Sequence, residues 1–346
     1  MTLTFDPNGA SPLDSGVFGL PYTPEQAKVV LLPVPFEATT SYGGGTADGP
    51  AAVLSASKQV DLFDLDTGKP YEAGIAMLDE PADVRRWNDE AKALAKPIIE
   101  NAGIALDPTA LAKINALCAQ MNDWVYTNAK KYIAQGKIVG VVGGDHSSPY
   151  GNIQACAEAH PGMGVLHLDA HADLRDAYEG FVWSHASIMF NVVTKLPNVA
   201  KLVQVGIRDF GEAEFNFIQA SNNRVHTFFD ARLARARHEG MSWTSQVDVI
   251  VHELPQDVYL SWDIDGLEPT LCPNTGTPVP GGLTFQQAVS LLEGIVRAKK
   301  RIVGFDLNEV SPGPDGNEWD GNVGARLLYK MIGWTLRSQG FGARTA

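Results

Sequence analysis

Seven short runs of apolar, largely β-branched residues, spaced by segments long enough to hold helices, constrain this chain more than any other feature. They are KVVLLPV from Lys28, KIVGVVG from Lys137, GVLHLDA from Gly164, KLVQVGI from Lys201, VHTFFD from Val225, DVYLSWDID from Asp257 and RIVGFDLNEV from Arg301. Each is apolar along nearly its whole length, as strands covered on both faces must be. Alternation of such runs with amphipathic windows predicts a mostly parallel sheet between two helical layers. The spacing predicts a helix after Asp107-Pro108, with an N-cap and a proline at its first position. Its apolar stripe is Leu111, Ile114, Leu117, Met121, Trp124, Val125 and Tyr132, and Gly136 ends it. A second helix is expected from Thr284 through Leu291, Leu292 and Val296, and a third over 323–336.

No repeat or change of composition marks a linker, so the 346 residues are expected to form one domain. Residues 1–26, rich in Gly, Pro, Ser and Asp, read as an N-terminal arm. The start lacks the basic and apolar regions of a signal peptide, and no stretch has the length of apolar residues that a membrane span needs. Cys118, Cys156 and Cys272 are odd in number and widely spaced, unlike a disulfide framework. The expected location is the cytoplasm, without membrane partners. A net charge of −13 argues against nucleic acid and is compatible with a cationic small molecule or divalent metal, although an acidic surface also serves solubility alone.

In open parallel sheets, functional groups gather beyond the carboxyl ends of the strands. Three expected strand ends carry polar clusters. The first is Gly143-Gly144-Asp145-His146-Ser147, where the glycines allow close backbone approach and present His146. The second is Asp169-Ala170-His171-Ala172-Asp173, whose polar residues share one side if the segment is extended. The third is Asp263-Ile264-Asp265, again two carboxylates on one face. Singly, a lone histidine is more often structural and an Asp-rich turn more often solvated. Together they place two histidines and four aspartates at one sheet edge, a costly arrangement unless cations sit there. Imidazole with carboxylate suits Mn²⁺, Zn²⁺, Ni²⁺ or Fe²⁺. Six donors suit two metals sharing bridging carboxylates, which in such pairs lie roughly 3.5–4 Å apart.

With these motifs in hand, the chain resembles the ureohydrolase family of arginases, agmatinases and related guanidino-compound hydrolases. The likeness rests on GGDHS at Gly143, DAHAD at Asp169, SWDIDGLEP at Ser261 and TGTPVPGGL from Thr275, and runs from about Lys28 to the C-terminal helix. DLRDAYEG…SHAS after Asp173 looks more like agmatinases than arginases. The resemblance implies a three-layer α/β/α fold assembled as trimers or hexamers. It implies one metal on His146, Asp169, Asp173 and Asp263 and a second on His171, Asp169, Asp263 and Asp265. Manganese is the usual metal of the family, and nickel serves some guanidine-specific relatives.

By the same resemblance, water activated between the cations attacks the guanidinium carbon, and urea and an amine result. His185 matches the residue credited with shuttling a proton to the leaving nitrogen. Glu309 matches the carboxylate that pairs with the guanidinium, and Thr277 a position lining its pocket. Residues that grip an amino acid's carboxylate and amine are not recognisable between Asp173 and His185, so agmatine is expected before arginine. Guanidine, an alkylguanidine or a guanidino acid is the next expectation, and Phe181, Trp183 or the N-terminal arm could shorten the pocket. Rival readings are a formiminoglutamase, a single-zinc deacetylase, which would not need both His146 and Asp265, and an inactive partner subunit, which predicts a broken ligand set. Glu268 stands where the family usually has aspartate, and Trp262 is bulkier than usual; neither is a ligand position. His160, His167, His226, His238 and His252 are given no role, with a core hydrogen bond expected for His167.

Overall fold

The computed structural model describes residues 5–12, 14–105 and 107–342. Residues 1–4 and 13 of the expected N-terminal arm lie outside these, as do 106 and 343–346. The first half runs β1 (Val29–Val34), α1 (Gly49–Ser57), β2 (Ile75–Met77), α2 (Ala82–Glu100), α3 (Pro108–Ala134), β3 (Ile138–Gly143), α4 (Tyr150–Ala159) and β4 (Met163–Leu168). It continues α5 (Ile188–Lys195), β5 (Val199–Ile207), α6 (Glu212–Ala220), β6 (Val225–Phe229), α7 (Asp230–His238) and α8 (Trp243–His252). Last come β7 (Asp257–Asp263), α9 (Phe285–Arg297), β8 (Arg301–Asn308) and α10 (Trp319–Ser338). The eight strands form one sheet in the order β2-β1-β3-β8-β7-β4-β5-β6, and every pairing is parallel.

Strand alternation divides the apolar residues between two helical layers. Val29 and Leu31 of β1 pack with α1, α9 and α10, whereas Val30 and Leu32 pack with α2 and α3. In β7, Val258, Leu260 and Trp262 enter the first layer, and Tyr259 turns toward α4 and α5. The architecture is therefore the three-layer α/β/α arrangement expected from the sequence. Trp262 is wholly buried away from the site, as alternation requires.

Local chemistry explains the helix bounds. Asp107 accepts a hydrogen bond from the Thr109 N–H (2.8 Å), and Gly136 adopts a left-handed φ of 74° just past α3. Thr284 and Gln287 cap α9 reciprocally. The third helix is longer than expected, starting at Trp319. Seven helices (α1, α2 and α4–α8) and the edge strand β2 were not anticipated. β2 has three residues, too few for a periodic signal. Helix α4 is buried almost all round, so it carries no polar face to mark its period.

Four of the expected strands, β4, β6, β7 and β8, stop one or two residues early. β4 ends at Leu168 and β7 at Asp263, and residues 264–266 form a 3₁₀ turn, so neither acidic cluster is held by strand pleating. All three cysteines are buried free thiols. Phe305 fills the sheet centre, its Cε2 2.2 Å from where a Cβ on the paired Gly140 would stand. Phe305→Ala is expected to cost about 3–5 kcal/mol by opening a core cavity. Chemical denaturation measures it, and a loss below about 1 kcal/mol would mean the neighbours collapse into the gap.

Candidate metal centre

The four central strands of the sheet, β3, β8, β7 and β4, deliver the polar clusters to one edge. His146 follows β3, Asp169 follows β4, Asp263 ends β7 and Glu309 follows β8. The two glycines before His146 are there for close approach. A Cβ on Gly143 would lie 2.0 Å from Asn308 Oδ1, and one on Gly144 2.1 Å from the Phe36 carbonyl oxygen.

His146 Nδ1 faces three carboxylates, at 2.9 Å from Asp169 Oδ2 and 3.4 Å from both Asp173 Oδ2 and Asp263 Oδ2. His171 Nδ1 lies 3.1 Å from Asp265 Oδ2 and 3.4 Å from Asp169 Oδ1. The six residues singled out from the sequence thus meet around Asp169, which touches both histidines. Spacing by two is not how they meet. Asp173 converges through a left-handed backbone, φ 54°, and Asp265 through the 3₁₀ turn, where its N–H donates to Asp263 Oδ1 (2.8 Å).

The donor set fits divalent cations. Asp169, Asp173, Asp263 and Asp265 are all buried, and among the described residues no lysine or arginine side chain pairs with them. Burial, followed by mutual repulsion, raises the Asp173 and Asp263 carboxyls well above the usual carboxylate range. Burial disfavours protonated imidazole, yet the surrounding carboxylates push His146 up to about 10 and His171 up to about 12. Protons occupy the position that cations would neutralise better. Donor atoms of His146, His167, Asp169 and Asp173 lie within 4.8 Å of one another, as do those of Asp169, His171 and Asp265.

Supporting residues were mostly not visible in the sequence. His146 Nε2 meets Ser261 Oγ (2.9 Å), which donates to Asp306 Oδ1 (3.1 Å), so a buried carboxylate behind the ring orients it. Its one signal was a lone aspartate inside the apolar run RIVGFDL. His167 makes the expected core hydrogen bond, from Nε2 to Asp169 Oδ2 (2.8 Å). Gln204 Nε2 donates to His167 Nδ1 (3.0 Å), which leaves the ring proton on Nε2, facing Asp169. Arg208 donates to the carbonyl oxygens of Asp265 (2.6 Å) and Leu267 (3.2 Å) and holds the 264–266 turn.

Glu309 is buried with φ 62°; its Oε1 accepts from the His146 N–H (2.9 Å), and burial followed by the charge of Asp263 raises its carboxyl well above the usual range. Thr277 Oγ1 reaches Asp265 Oδ2 at 3.5 Å. His185 opens a 3₁₀ turn with its Nδ1 buried and, among the described residues, without a hydrogen-bond partner. Burial, then repulsion from His171 and His146, lowers it to about 4. Phe181 does not narrow this site, because it is wholly buried in the α2–α3 core, and Trp183 packs on the Tyr150 ring, centroids 4.8 Å apart. Nor does the described part of the arm, since Phe18 packs on Tyr329 of α10. The loop after β1 does approach it, with Thr40 Oγ1 3.5 Å from Asp145 Oδ2.

Residues 27–333 match the arginase family model. The chain is 36% identical over 320 residues to the N(1)-aminopropylagmatine ureohydrolase of Thermus thermophilus, covering 92% of this chain and 94% of that one. It is 30% identical over 313 residues to the agmatinase of Photorhabdus laumondii, covering 90% and 88%. The fold matches the crystal structure of agmatine ureohydrolase of Thermoplasma volcanium with a TM-score of 0.71 and 23% identity, covering 92% of this chain and 93% of that one. The protein therefore belongs to the arginase family.

Proposed function

We propose that this protein hydrolyses a guanidino compound of the agmatine type, releasing urea and an amine. The observation that carries the reading is the convergence of two histidines and four buried aspartates without a lysine or arginine paired to them among the described residues. Relatives named for agmatine and N(1)-aminopropylagmatine support a long cationic guanidine as the substrate class. His146, Asp169, Asp173 and Asp263 would hold one divalent metal, and His171, Asp169, Asp263 and Asp265 a second. Such ions supply Lewis acidity that brings the pKa of water close to neutrality. Manganese is the metal we propose, with nickel the alternative.

Residues of the chain do the rest. Glu309 pairs with the planar guanidinium by charge-assisted hydrogen bonds and holds its carbon at the centre. Thr277 lines the same position. Water adds to that carbon, the bond to the alkyl-bearing nitrogen breaks, and the amine departs with a proton. His185, neutral at pH 7 and unpartnered at Nδ1, takes up the proton that water gives up and passes it on. The reading extends to a single domain with an N-terminal arm, a homo-oligomeric assembly (trimer or hexamer) and a cytoplasmic location; the unpaired thiols support a reducing compartment.

Three outcomes test this. First, the manganese- or nickel-loaded protein releases urea from agmatine or N(1)-aminopropylagmatine, and Asp263→Asn loses that activity together with metal; full turnover by the variant would refute the shared-ligand assignment. Second, His185→Asn keeps its metal but loses about 10²–10⁴-fold in kcat, the usual share of a general acid–base group; an unchanged kcat removes His185 from the proton path. Third, His146 and His171 hold protons up to about pH 10 and 12 without metal, and Asp173 and Asp263 are raised as well. Metal must displace those protons, so binding releases them and weakens as pH falls from 8 to 6. Titration calorimetry in buffers of different ionisation heat counts the protons, and a count of zero would contradict this account.

A further inference from the structure

Gly276 has no side chain, and the fold gives no reason for that. It does not lie in the left-handed region, where glycine would be required. A Cβ built there would meet Tyr42 O at 3.5 Å, Glu309 Oε2 at 3.6 Å and Thr40 Cγ2 at 3.9 Å, all ordinary van der Waals distances. Alanine therefore fits the protein itself. The three neighbours converge from two sources: Glu309 follows β8, which reaches the metal centre, and Thr40 and Tyr42 belong to the loop after β1.

That loop is held in place by contacts on several sides. Glu37 Oε2 accepts from the Gly45 N–H (2.7 Å) and Thr46 Oγ1 (3.0 Å), closing the loop at its base, and Lys92 of α2 pairs with the other oxygen. Ser311 Oγ donates to the Gly44 carbonyl (3.2 Å), and Thr40 Oγ1 reaches Asp145 Oδ2 (3.5 Å). On the far side Gly43 touches the Gly276 backbone; a Cβ on Gly43 would come within 2.7 Å of Gly276 Cα. A methyl-sized space thus persists between a fixed loop and the Glu309 carboxylate. Its walls are the Glu309 carboxylate, the Thr40 methyl and the backbone carbonyl of Tyr42, a residue that is itself 72% exposed.

We propose that the bare Gly276 position is the passage through which the alkyl chain of an N-substituted guanidine leaves the metal centre. Resting on the guanidino-hydrolase reading above, this assigns the guanidinium to Glu309, the first methylenes to the space flanked by Thr40 Cγ2, and the far ammonium to the rim beside the Tyr42 carbonyl. Gly276 and the 38–45 loop are then specificity determinants for substituted over unsubstituted guanidine. A carbonyl acceptor and an aromatic ring at the rim suit a cation there.

The test is Gly276→Ala in the metal-loaded protein, with guanidine and agmatine as the two probes. Calorimetry gives affinity, urea release gives kcat and KM, and thermal unfolding and metal content serve as checks on the fold. The expected result is a drop of about ten-fold or more in the agmatine-to-guanidine ratio of affinities, the scale at which one methylene-sized clash discriminates. It should appear in KM before kcat, with native metal content and little change in Tm. Parallel losses for both probes, or no loss for agmatine, would overturn the passage. If the wild type binds agmatine more tightly than the variant but releases no urea from any guanidine, the passage stands and the hydrolase reading falls. Failure of agmatine to bind either form overturns both. Thr40→Trp fills the passage from the other wall and should lower the ratio as well.

Discussion

Four buried carboxylates brought to one point, with no lysine or arginine against them among the described residues, are the constraint around which this protein is arranged. Burial and repulsion both oppose their ionisation, and the two histidines among them take up protons in response. A purely structural network would have supplied its own cations. This one fits bound divalent ions in that role, and ions taken up there would displace the protons.

The surrounding structure supports that arrangement at some local expense. Asp173 and Glu309 both adopt left-handed backbone conformations, which cost non-glycine residues of order 1–3 kcal/mol each and persist only where neighbours enforce them. The enforcing contacts are visible. The Glu309 N–H donates to the Gly144 carbonyl (2.7 Å), and its own carbonyl accepts from Thr275 Oγ1 (2.8 Å). Behind the histidines, Ser261 with Asp306 and His167 with Gln204 fix ring orientation and tautomer. The directions in which the donors point are therefore set before any ion or substrate arrives.

Much of this was legible in the sequence, and for identifiable reasons. Seven of the eight strands were visible because a parallel strand covered on both sides must be apolar along its length. The converging histidines and aspartates were visible because polar residues ending such runs have few structural uses. Helices such as α4 were hidden by burial on every side, and β2 by its length. The geometric argument drawn from spacing failed even where its conclusion held. Asp173 and Asp265 reach the site through a left-handed residue and a 3₁₀ turn, because both strands end before the acidic residues that follow them. Phe181 was misplaced because an aromatic in a polar loop looks the same whether it lines a pocket or plugs the core, and here it is buried in the core cluster that includes α2 and α3.

By itself, then, the sequence determined the kind of sheet, the six histidine and aspartate residues that converge at its edge and the family, since these depend on residue type and on short-range pattern. Only the tertiary structure decided that β3, β8, β7 and β4 lie side by side at the centre, although up to about half the chain separates neighbours in that set. It also decided that a loop more than 230 residues before Gly276 would close over it. Contacts of that kind arise from which strand edges and helix faces can be buried together, a property of the whole chain that no local window contains.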